Sequence, residues 1–389
     1  MKTIASLITR LATETEFHLK YPEYHPEDRK THLLFVGPDT TAHSYYRMLS
    51  FYNEINKTTS HAAIVSHIRT FDFNKAFDDY ENTINSRLIK WADYIIFPMI
   101  FSDYSYVFEA IRKINRDAVL VMELEKNVHE LAKGNHSFTK VKKNDPVELL
   151  KNLALMDLIA SENEPLLFYY DRLLSIQYPT AQYDLVYFPS LISGDSYEHV
   201  VPVKDKSDEK IRIGCLGAAQ VLVDTKLLKE ILPKLFEHYG SNIEVIFYNL
   251  YLPKDCQADL NGSEITLVKP TTFFKHFQTL VDLQLDIALL CYSQHELNSY
   301  HASVTAFQEL AVIGVPVIAP SIISGIEELI EDGINGFIAD TPDTILETTQ
   351  SLIENKEMRV SAGTLARQRI WKEASFTKKS LSSYLQLFP

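Results

Sequence analysis

The sequence has 389 residues, 46% of them hydrophobic, and its 38 Lys and Arg against 51 Asp and Glu give a net charge of −13. This is the composition of a globular protein with substantial cores, and at about 150 residues per domain the length predicts two domains. The negative charge excludes a general nucleic-acid-binding surface, because neutralising phosphates requires an excess of basic side chains. A local basic pocket is still allowed.

The first 20 residues place apolar side chains at helical intervals but contain no continuous apolar run. The spaced residues are Ile4, Leu7, Ile8 and Leu11. The pattern predicts an amphipathic helix rather than a signal peptide or a membrane span. We expect it to pack on the first domain. A peripheral contact with a membrane is the alternative, although Glu14 and Glu16 dilute the basic face that anionic lipid would need.

The three cysteines, Cys215, Cys256 and Cys291, form no CxxC pair. They therefore indicate neither a disulfide framework nor a Cys-rich zinc site. A reducing compartment fits this pattern, and we predict a cytoplasmic protein. The sequence also lacks a DxD motif and a convincing histidine triad. We therefore expect no metal site.

Short apolar runs predict ten strands in two series. The runs are 32–36, 62–65, 94–97, 118–122 and 155–160, and then 211–216, 243–248, 265–268, 286–290 and 315–319. Helix-length segments separate them, which is typical of right-handed βαβ units and parallel sheets. Residues 187–210 combine Pro, Gly, Ser and clustered charge and are predicted to be a linker. The predicted fold class is α/β, with two Rossmann-like doubly wound domains that face a central cleft.

Residues 286–340 are the most informative segment for function. A predicted strand leads into a polar loop and then into a helix from about Ser303 to Gly314, which stands at the position of a left-handed C-cap. The free amides and the positive dipole end at a helix start favour an anion. We therefore predict that a diphosphate lies against residues 302–305, with binding positions at Ser303, Val304 and Thr305.

Four features of this segment occur together: Glu309, GVPVIA from Gly314, GIEELI from Gly325 and DGINGF from Asp332. As a set they resemble the nucleotide-sugar-binding half of GT-B glycosyltransferases, particularly those of family 4. The resemblance implies a GT-B fold and sugar transfer from a nucleotide-diphosphate-sugar donor to a hydroxyl acceptor, with retention of configuration. It also implies that Glu309 binds the ribose hydroxyls of the donor, a role that suits a carboxylate.

One residue departs from the family pattern. The family usually has a second Glu eight positions before Glu309, in contact with the transferred sugar, and this chain has His301 there. A histidine still forms hydrogen bonds with sugar hydroxyls, but it changes the charge beside the anomeric carbon and titrates near neutrality. We predict that His301 contacts the donor sugar, with a solvated loop histidine as the alternative. A role of His301 itself in catalysis is kept as a further candidate.

The run GCLG from Gly214 resembles the first strand and glycine turn of the same half. Gly217 is predicted to let the backbone approach the diphosphate, since no Cβ intrudes. Many family members place an Arg directly after this glycine and a Lys a few residues on. This chain has Ala218 there and then Val223 or Asp224. The usual electrostatic assistance to a departing diphosphate is therefore missing from this turn.

Two other cations are candidate substitutes. Lys269 follows the third strand of the second half, where a solvated loop lysine is the favoured alternative. Arg47 ends a Ser-Tyr-Tyr-Arg run that resembles a sequence in some of these enzymes, and Tyr45 or Tyr46 is predicted to stack on a sugar. The alternative is a helix with buried tyrosines and a solvated arginine. Glu123, near the end of the fourth strand, is predicted to recognise acceptor hydroxyls.

Together these features predict a hexosyltransferase-like glycosyltransferase of surface polysaccharide or glycoconjugate synthesis. Its partners would be a nucleotide sugar and a glycan acceptor, with no cofactor required. The predicted domains are 1–195 on the acceptor side, 196–370 on the donor side, and a terminal helix at 371–389 that returns to the first domain. Because charged site residues are replaced, two alternatives stay open. One is a catalytically silent GT-B partner or carbohydrate-binding subunit, and the other is a nucleotide-sugar epimerase of the same architecture.

Overall fold

The computed structural model describes residues 2–67, 85–130, 141–197, 210–217, 225–250, 264–269, 271 and 273–389. Ala218, Val223, Asp224 and Cys256, as well as linker residues 198–209, lie outside the described residues. The chain divides into two compact units. Unit 1 comprises Met1–Val128, Lys142–Ser196 and Phe376–Pro389, and unit 2 comprises His129–Val141 and Tyr197–Ser375.

In the described part of unit 1, six parallel strands form one sheet in the order β2-β1-β3-β4-β5-β6. The strands are β1 (Thr31–Phe35), β2 (His61–Val65), β3 (Tyr94–Phe97), β4 (Val119–Leu124), β5 (Leu158–Ser161) and β6 (Asp184–Tyr187). The helices are α1 (Lys2–Thr13), α2 (Phe17–Lys20), α3 (Ala42–Ser44), a π-helix (Tyr45–Leu49), α4 (Ser50–Ile55), α5 (Ser86–Trp91), α6 (Ser105–Ile114), α7 (Asp145–Leu153), α8 (Glu164–Gln177) and α9 (Gly194–Tyr197), which ends at the first residue of unit 2.

Unit 2 also contains a parallel sheet, with six strands among its described residues in the order β12-β11-β10-β7-β8-β9. They are β7 (Ile211–Leu216), β8 (Ile243–Tyr248), β9 (Ile265–Val268), β10 (Ile287–Leu290), β11 (Val317–Ala319) and β12 (Phe337–Ile338). The helices are α10 (Thr225–Tyr239), a 3-10 helix (Gly240–Asn242), α11 (Phe273–Asp282), a 3-10 helix (Glu296–Tyr300), α12 (Thr305–Val312), α13 (Ile326–Leu329), α14 (Pro342–Glu354) and α15 (Lys356–Glu373). Helix α16 (Lys378–Leu385) belongs to unit 1.

The predicted α/β class with two doubly wound parallel sheets is confirmed. All ten predicted strands are present, and the sequence missed β6 and β12. Strand β6 lies at a sheet edge and its side chains are exposed or half-buried, so no buried apolar run marks it. Strand β12 has only two residues. Strand β5 begins at Leu158 rather than at 155, because the residues before it form the turn that follows α7.

The strand order of unit 2 defines where a ligand is expected. From β7 the chain adds β8 and β9 on one side, and then β10, β11 and β12 on the other. The direction of addition therefore changes between β7 and β10. In open doubly wound sheets, ligands bind outside the carboxyl ends of the strands at this switch point. In unit 2, the described residues at that edge are Gly217 after β7, Asn249 and Leu250 after β8, and the loop that follows β10.

Helix α1 confirms the amphipathic pattern read from the sequence. Ile4 and Leu7 are each 3% exposed, and Leu11 is 8% exposed. Arg10 donates from Nη2 to a carboxylate oxygen of Glu23 at 2.8 Å. Within the described part of the chain, no helix combines the length and apolar character needed to cross a bilayer.

Helix α12 ends at the predicted glycine. Gly314 has φ +80°, and its N–H donates to the carbonyl of Ala311 at 2.9 Å, while that of Val315 donates to Leu310 at 3.0 Å. These bonds are those of a Schellman C-cap. Helix α15 lies directly against this turn: a Cβ added to Gly363 would stand 2.0 Å from the carbonyl oxygen of Gly314. The missing side chain at Gly363 permits this contact.

We predict that Gly363→Ala destabilises the protein by about 1 to 3 kcal/mol, since backbone rather than a flexible side chain must move to admit the methyl group. Gly194→Ala is the matched control, because a Cβ there meets nothing within 4 Å. Urea unfolding measures both changes. The packing argument fails if Gly363→Ala is as stable as the wild type, because alanine is otherwise the better helix former.

Candidate functional site

The loop between β10 and α12 is held by Asn298, which is 0% exposed. Its side-chain nitrogen donates to the carbonyl oxygen of Ser293 at 2.8 Å and to the hydroxyl of the same residue at 3.2 Å. Its backbone carbonyl oxygen accepts hydrogen bonds from the N–H groups of His301 at 3.1 Å and Ala302 at 2.8 Å. These bonds fix the path of the loop up to the start of the helix.

Helix α12 begins at Thr305, two residues later than predicted. The hydroxyl of Ser303 accepts the N–H of Thr305 at 3.1 Å, so it does cap one amide. The N–H of Ala302 is already bound within the loop. The N–H groups of Ser303 and Val304 donate to no acceptor among the described residues. The anion position predicted across 302–305 is therefore narrowed to these two amides.

Glu309 lies in α12 and is 6% exposed. Its Oε2 is 2.8 Å from Nε2 of His276 in α11. The other ring nitrogen of His276, Nδ1, is 2.6 Å from the hydroxyl of Tyr248, at the end of β8. That hydroxyl is in turn 3.2 Å from Oγ1 of Thr271. Four segments of unit 2 thus meet in one chain of hydrogen bonds, which we call the Glu309 chain.

The chemistry of these groups sets the direction of each bond. A carboxylate only accepts, so Nε2 of His276 carries a proton. In the neutral ring, Nδ1 then accepts from the hydroxyl of Tyr248, which accepts from Thr271. In the imidazolium, Nδ1 donates to Tyr248, which donates to Thr271. The Glu309 chain therefore satisfies both protonation states of His276 and reverses direction between them.

The charge of Glu309 contributes to shifts in the pKa values of neighbouring side chains. Burial lowers the pKa of His276, but the charge of Glu309 and the hydrogen bond to it outweigh burial, so this pKa lies above its ordinary value of 6.5. Burial raises the pKa of Tyr248, and Glu309 adds to that rise while Thr271 opposes it. Burial also raises the pKa of Tyr292, again with a contribution from Glu309. Both tyrosines stay neutral, and His276 is the group that titrates.

In unit 1, the structure brings together two residues that were predicted separately. Arg47, in the π-helix, is 1% exposed and Glu123, in β4, is 3% exposed. Arg47 donates from Nε to Glu123 Oε2 at 3.0 Å and from Nη2 to Oε1 at 3.2 Å, and its Nη1 donates to the carbonyl of Phe188. Burial lowers the pKa of Arg47, but Glu123 and, next, Glu162 outweigh it and raise that pKa.

This arrangement does not support the sequence interpretation of the same residues. The guanidinium of Arg47 is enclosed and bound on three nitrogens, so in this conformation it offers no surface to a diphosphate. Both carboxylate oxygens of Glu123 accept hydrogen bonds from Arg47, so this carboxylate is not presented to the hydroxyls of an acceptor. Tyr45 and Tyr46 are each 1% exposed and therefore cannot stack on a sugar here. The buried-tyrosine alternative fits, with the correction that Arg47 is buried rather than solvated.

The other predicted residues are placed as follows. A Cβ on Gly217 would lie 2.8 Å from Cδ1 of Leu250 and 3.2 Å from the carbonyl oxygen of Asn249, so the close approach at this glycine is to the segment after β8. Lys269 is exposed directly after β9. His301 is half-buried at the end of the 3-10 helix that precedes α12. Contacts of these residues with a donor stay predictions.

Sequence reasoning missed His276, Tyr248 and Thr271. His276 is separated from Glu309 by 33 positions and from Tyr248 by 28, so no local spacing connects them. One signal was available, since parallel strands bring their carboxyl ends to one edge of the sheet and Tyr248 is the last residue of a correctly predicted strand. The described residues contain no group of three His, Cys, Asp or Glu placed to hold a metal ion.

No family model matches the sequence, and no curated protein does. Solved structures do match. Sucrose-phosphate synthase from Thermosynechococcus elongatus is similar with a TM-score of 0.58 at 9% identity, over 92% of this chain and 98% of that one. HepE from Anabaena, solved with UDP and glucose, gives 0.56 at 11% identity, over 92% and 99%. The chain has the GT-B fold.

A third GT-B structure is similar over a shorter part of its length. TarM from S. aureus matches with a TM-score of 0.51 at 16% identity. The match covers 79% of this chain and 58% of TarM, so this chain spans less than two thirds of that protein. Likeness at these identities shows the fold and leaves the activity to be argued from the site.

For unit 1, we predict that Arg47→Met destabilises the protein by about 3 to 5 kcal/mol, because it leaves Glu123 buried and unpaired. Replacing both residues, with Arg47→Met and Glu123→Leu, should recover most of this loss. Arg112→Met is the matched control, since its pair with Asp157 is partly exposed and a smaller loss is expected. Urea unfolding measures the series. A single variant as stable as the double variant would contradict the ion-pair account.

For unit 2, we predict a pH-dependent stability difference between the wild type and His276→Gln. The pKa of His276 is raised in the folded state, so its stabilisation is fully present below its unfolded value near 6.5 and is lost as pH rises through the folded value. The wild type should therefore lose stability relative to His276→Gln from pH 6 to 9. A constant difference for His276→Gln would contradict the shift.

Proposed function

We propose that this protein is a glycosyltransferase that moves a hexosyl group from a nucleoside-diphosphate-sugar to a hydroxyl acceptor, with retention of configuration. One observation carries the proposal: at the switch point of the unit 2 sheet, the amides of Ser303 and Val304, which donate to no acceptor among the described residues, precede the helix that bears Glu309. In a GT-B fold this arrangement suits an activated sugar whose nucleotide lies across the helix start.

The proposed donor contacts follow from the chemistry of these groups. The amides of Ser303 and Val304 bind the diphosphate, because helix-start N–H groups and the helix dipole favour an anion. Glu309 accepts hydrogen bonds from the two ribose hydroxyls. A carboxylate offers roughly four lone-pair directions, and His276 uses one of them. His301 contacts the sugar. Lys269, which is exposed directly after β9, is the candidate cation for the diphosphate.

In the proposed reaction, the bond between the anomeric carbon and the diphosphate oxygen breaks, and a bond to the acceptor oxygen forms. The electron pair leaves with the diphosphate, and the acceptor proton passes to the departing phosphate oxygen. Stabilising that developing charge is the largest contribution available to such a site. No metal or cofactor takes part in the reaction as we propose it, since the sequence contains no DxD motif.

The comparisons suggest which ligands to try first. HepE was solved with UDP and glucose and also with UDP-glucose, and TarM was solved with UDP and α-GlcNAc-glycerol. We therefore propose a UDP-hexose as donor and a glycan or glycoconjugate precursor as acceptor, in polysaccharide synthesis in the cytoplasm. The choice of donor rests on similarity of fold. The proposed class of reaction rests on the site residues named above.

A second candidate is a GT-B subunit that binds a nucleotide sugar or a glycan without transferring it. The observation that favours this candidate is the buried ion pair of Arg47 with Glu123. That pair removes one of the two cations proposed to assist departure of the diphosphate. Lys269 is the other, and a single exposed lysine is weak assistance in a solvated loop. Such a subunit would bind nucleotide and show no turnover.

We predict that Glu309→Gln weakens UDP binding by about tenfold to a hundredfold, because it removes the charge from the ribose acceptor. Glu357→Gln, at an exposed position in α15, is the matched control and should bind as the wild type does. Calorimetry with UDP, GDP and ADP measures affinity, and release of nucleoside diphosphate from UDP-sugars measures turnover. Binding without turnover in the wild type selects the second candidate. Equal affinity of Glu309→Gln and the wild type would refute the ribose role.

A further inference from the structure

We propose that His276 is a positioning residue for Glu309 and that it sets how strongly the protein selects ribose over deoxyribose in its nucleotide. This inference deepens the proposed function and rests on it. The sequence predicts the Glu309 carboxylate alone as the ligand of the ribose. The structure adds the imidazole that holds it.

Burial makes the Glu309 carboxylate depend on a hydrogen-bond donor. Glu309 is 6% exposed, and a charged group so covered is costly unless it is hydrogen-bonded. The N–H of His276 supplies a bond of 2.8 Å to Oε2. Without that donor, the carboxylate would rotate toward other donors or toward solvent. The orientation in which it meets a ribose would then be lost.

The His276 side chain is itself held in a fixed orientation. Both of its ring nitrogens are bonded, one to Glu309 and the other to Tyr248 at 2.6 Å. Its ring also stacks on that of Tyr248, with 5.4 Å between centroids and 24° between planes. Tyr248 is 1% exposed and is bonded in turn to Thr271. A side chain held on three sides transmits a defined orientation to the group it binds.

The charge of the pair formed by His276 and Glu309 changes with the protonation of His276. The titratable groups that interact with the pair are Tyr248 from β8 and Tyr292 from the segment after β10. On α11 itself, Lys275 adjoins His276 in sequence and is exposed. Since the tyrosines stay neutral, they do not add charge to the pair, and a proton gained or lost by His276 changes its charge. An imidazolium draws charge from the carboxylate and weakens it as an acceptor for ribose hydroxyls.

The inference predicts a pH-dependent selectivity. Ribose and 2′-deoxyribose nucleotides carry the same diphosphate, so charge effects on the phosphates cancel in the ratio of their dissociation constants. What remains is the hydrogen bond from the 2′-hydroxyl. That bond should be strongest when His276 is neutral and donating, and weaker when His276 is an imidazolium.

The experiment compares dissociation constants of UDP, GDP and ADP with those of their 2′-deoxy forms by calorimetry, at pH 8.5 and at pH 6.0. For the nucleotide that binds best, we expect the wild type to prefer ribose by about tenfold at pH 8.5 and by about threefold at pH 6.0. His276→Gln keeps an N–H donor without titrating, so it should keep a preference that is equal at both pH values. His276→Phe keeps the ring stack without the donor and should prefer ribose by about twofold or less.

Two controls separate this effect from a general loss of structure. His238→Gln should follow the wild type at both pH values, because His238 is exposed and lies on α10. In a Glu309→Gln background, adding His276→Phe should leave the ribose preference unchanged, since the group that His276 positions is gone. Thermal unfolding checks that each variant is folded. If His276→Phe does not fold, the pH arms of the wild type and His276→Gln still decide the question.

These measurements distinguish a failure of the proposed function from a failure of the role assigned to His276. If the wild type binds none of the nucleotides, the proposed function fails and this inference fails with it. If the wild type prefers ribose and Glu309→Gln does not, but His276→Phe keeps the full preference, only the role of His276 is overturned. A ribose preference that falls equally with pH in the wild type and in His276→Gln also overturns it.

Discussion

Parallel strand direction is the constraint on which the site in unit 2 depends. Because β7, β8 and β10 run the same way, the segments that follow them leave the sheet at one edge. Tyr248 ends β8, the loop held by Asn298 follows β10, and Glu309 lies on the next helix. Residues far apart in sequence are thereby brought within hydrogen-bond distance. The amides at the start of α12 are presented at the same edge, which is where open α/β sheets bind their ligands.

Each unit buries a carboxylate, and the two are satisfied in different ways. Glu123 is paired with a guanidinium, which stays charged at every pH at which the protein is folded. That pair ties the π-helix to β4 and to the carbonyl of Phe188, and it acts as a fixed structural bond. Glu309 is paired with an imidazole, whose charge changes near neutrality. The first arrangement favours rigidity, and the second leaves the acceptor strength of the carboxylate adjustable.

The sequence revealed what is encoded locally. Apolar runs located ten strands, and Gly314 marked the end of α12 because a left-handed C-cap requires that residue type. Partners distant in sequence were not accessible in this way. Arg47 and Glu123 are 76 positions apart, and each was interpreted as a separate site residue because nothing local shows that they neutralise one another. The predicted start of α12 was two residues too early. Ser303 does accept the N–H of Thr305, as a capping residue would, but Ser303 itself lies before the first residue of the helix.

The account depends on a nucleotide lying along α12, and a crystal structure with UDP bound tests this most directly. The account predicts both ribose hydroxyls within hydrogen-bond distance of the Glu309 carboxylate, with His276 still bound to its other side and the diphosphate on the amides of Ser303 and Val304. A nucleotide bound elsewhere, or a Glu309 carboxylate that remains covered and makes no contact with the ribose, would contradict it.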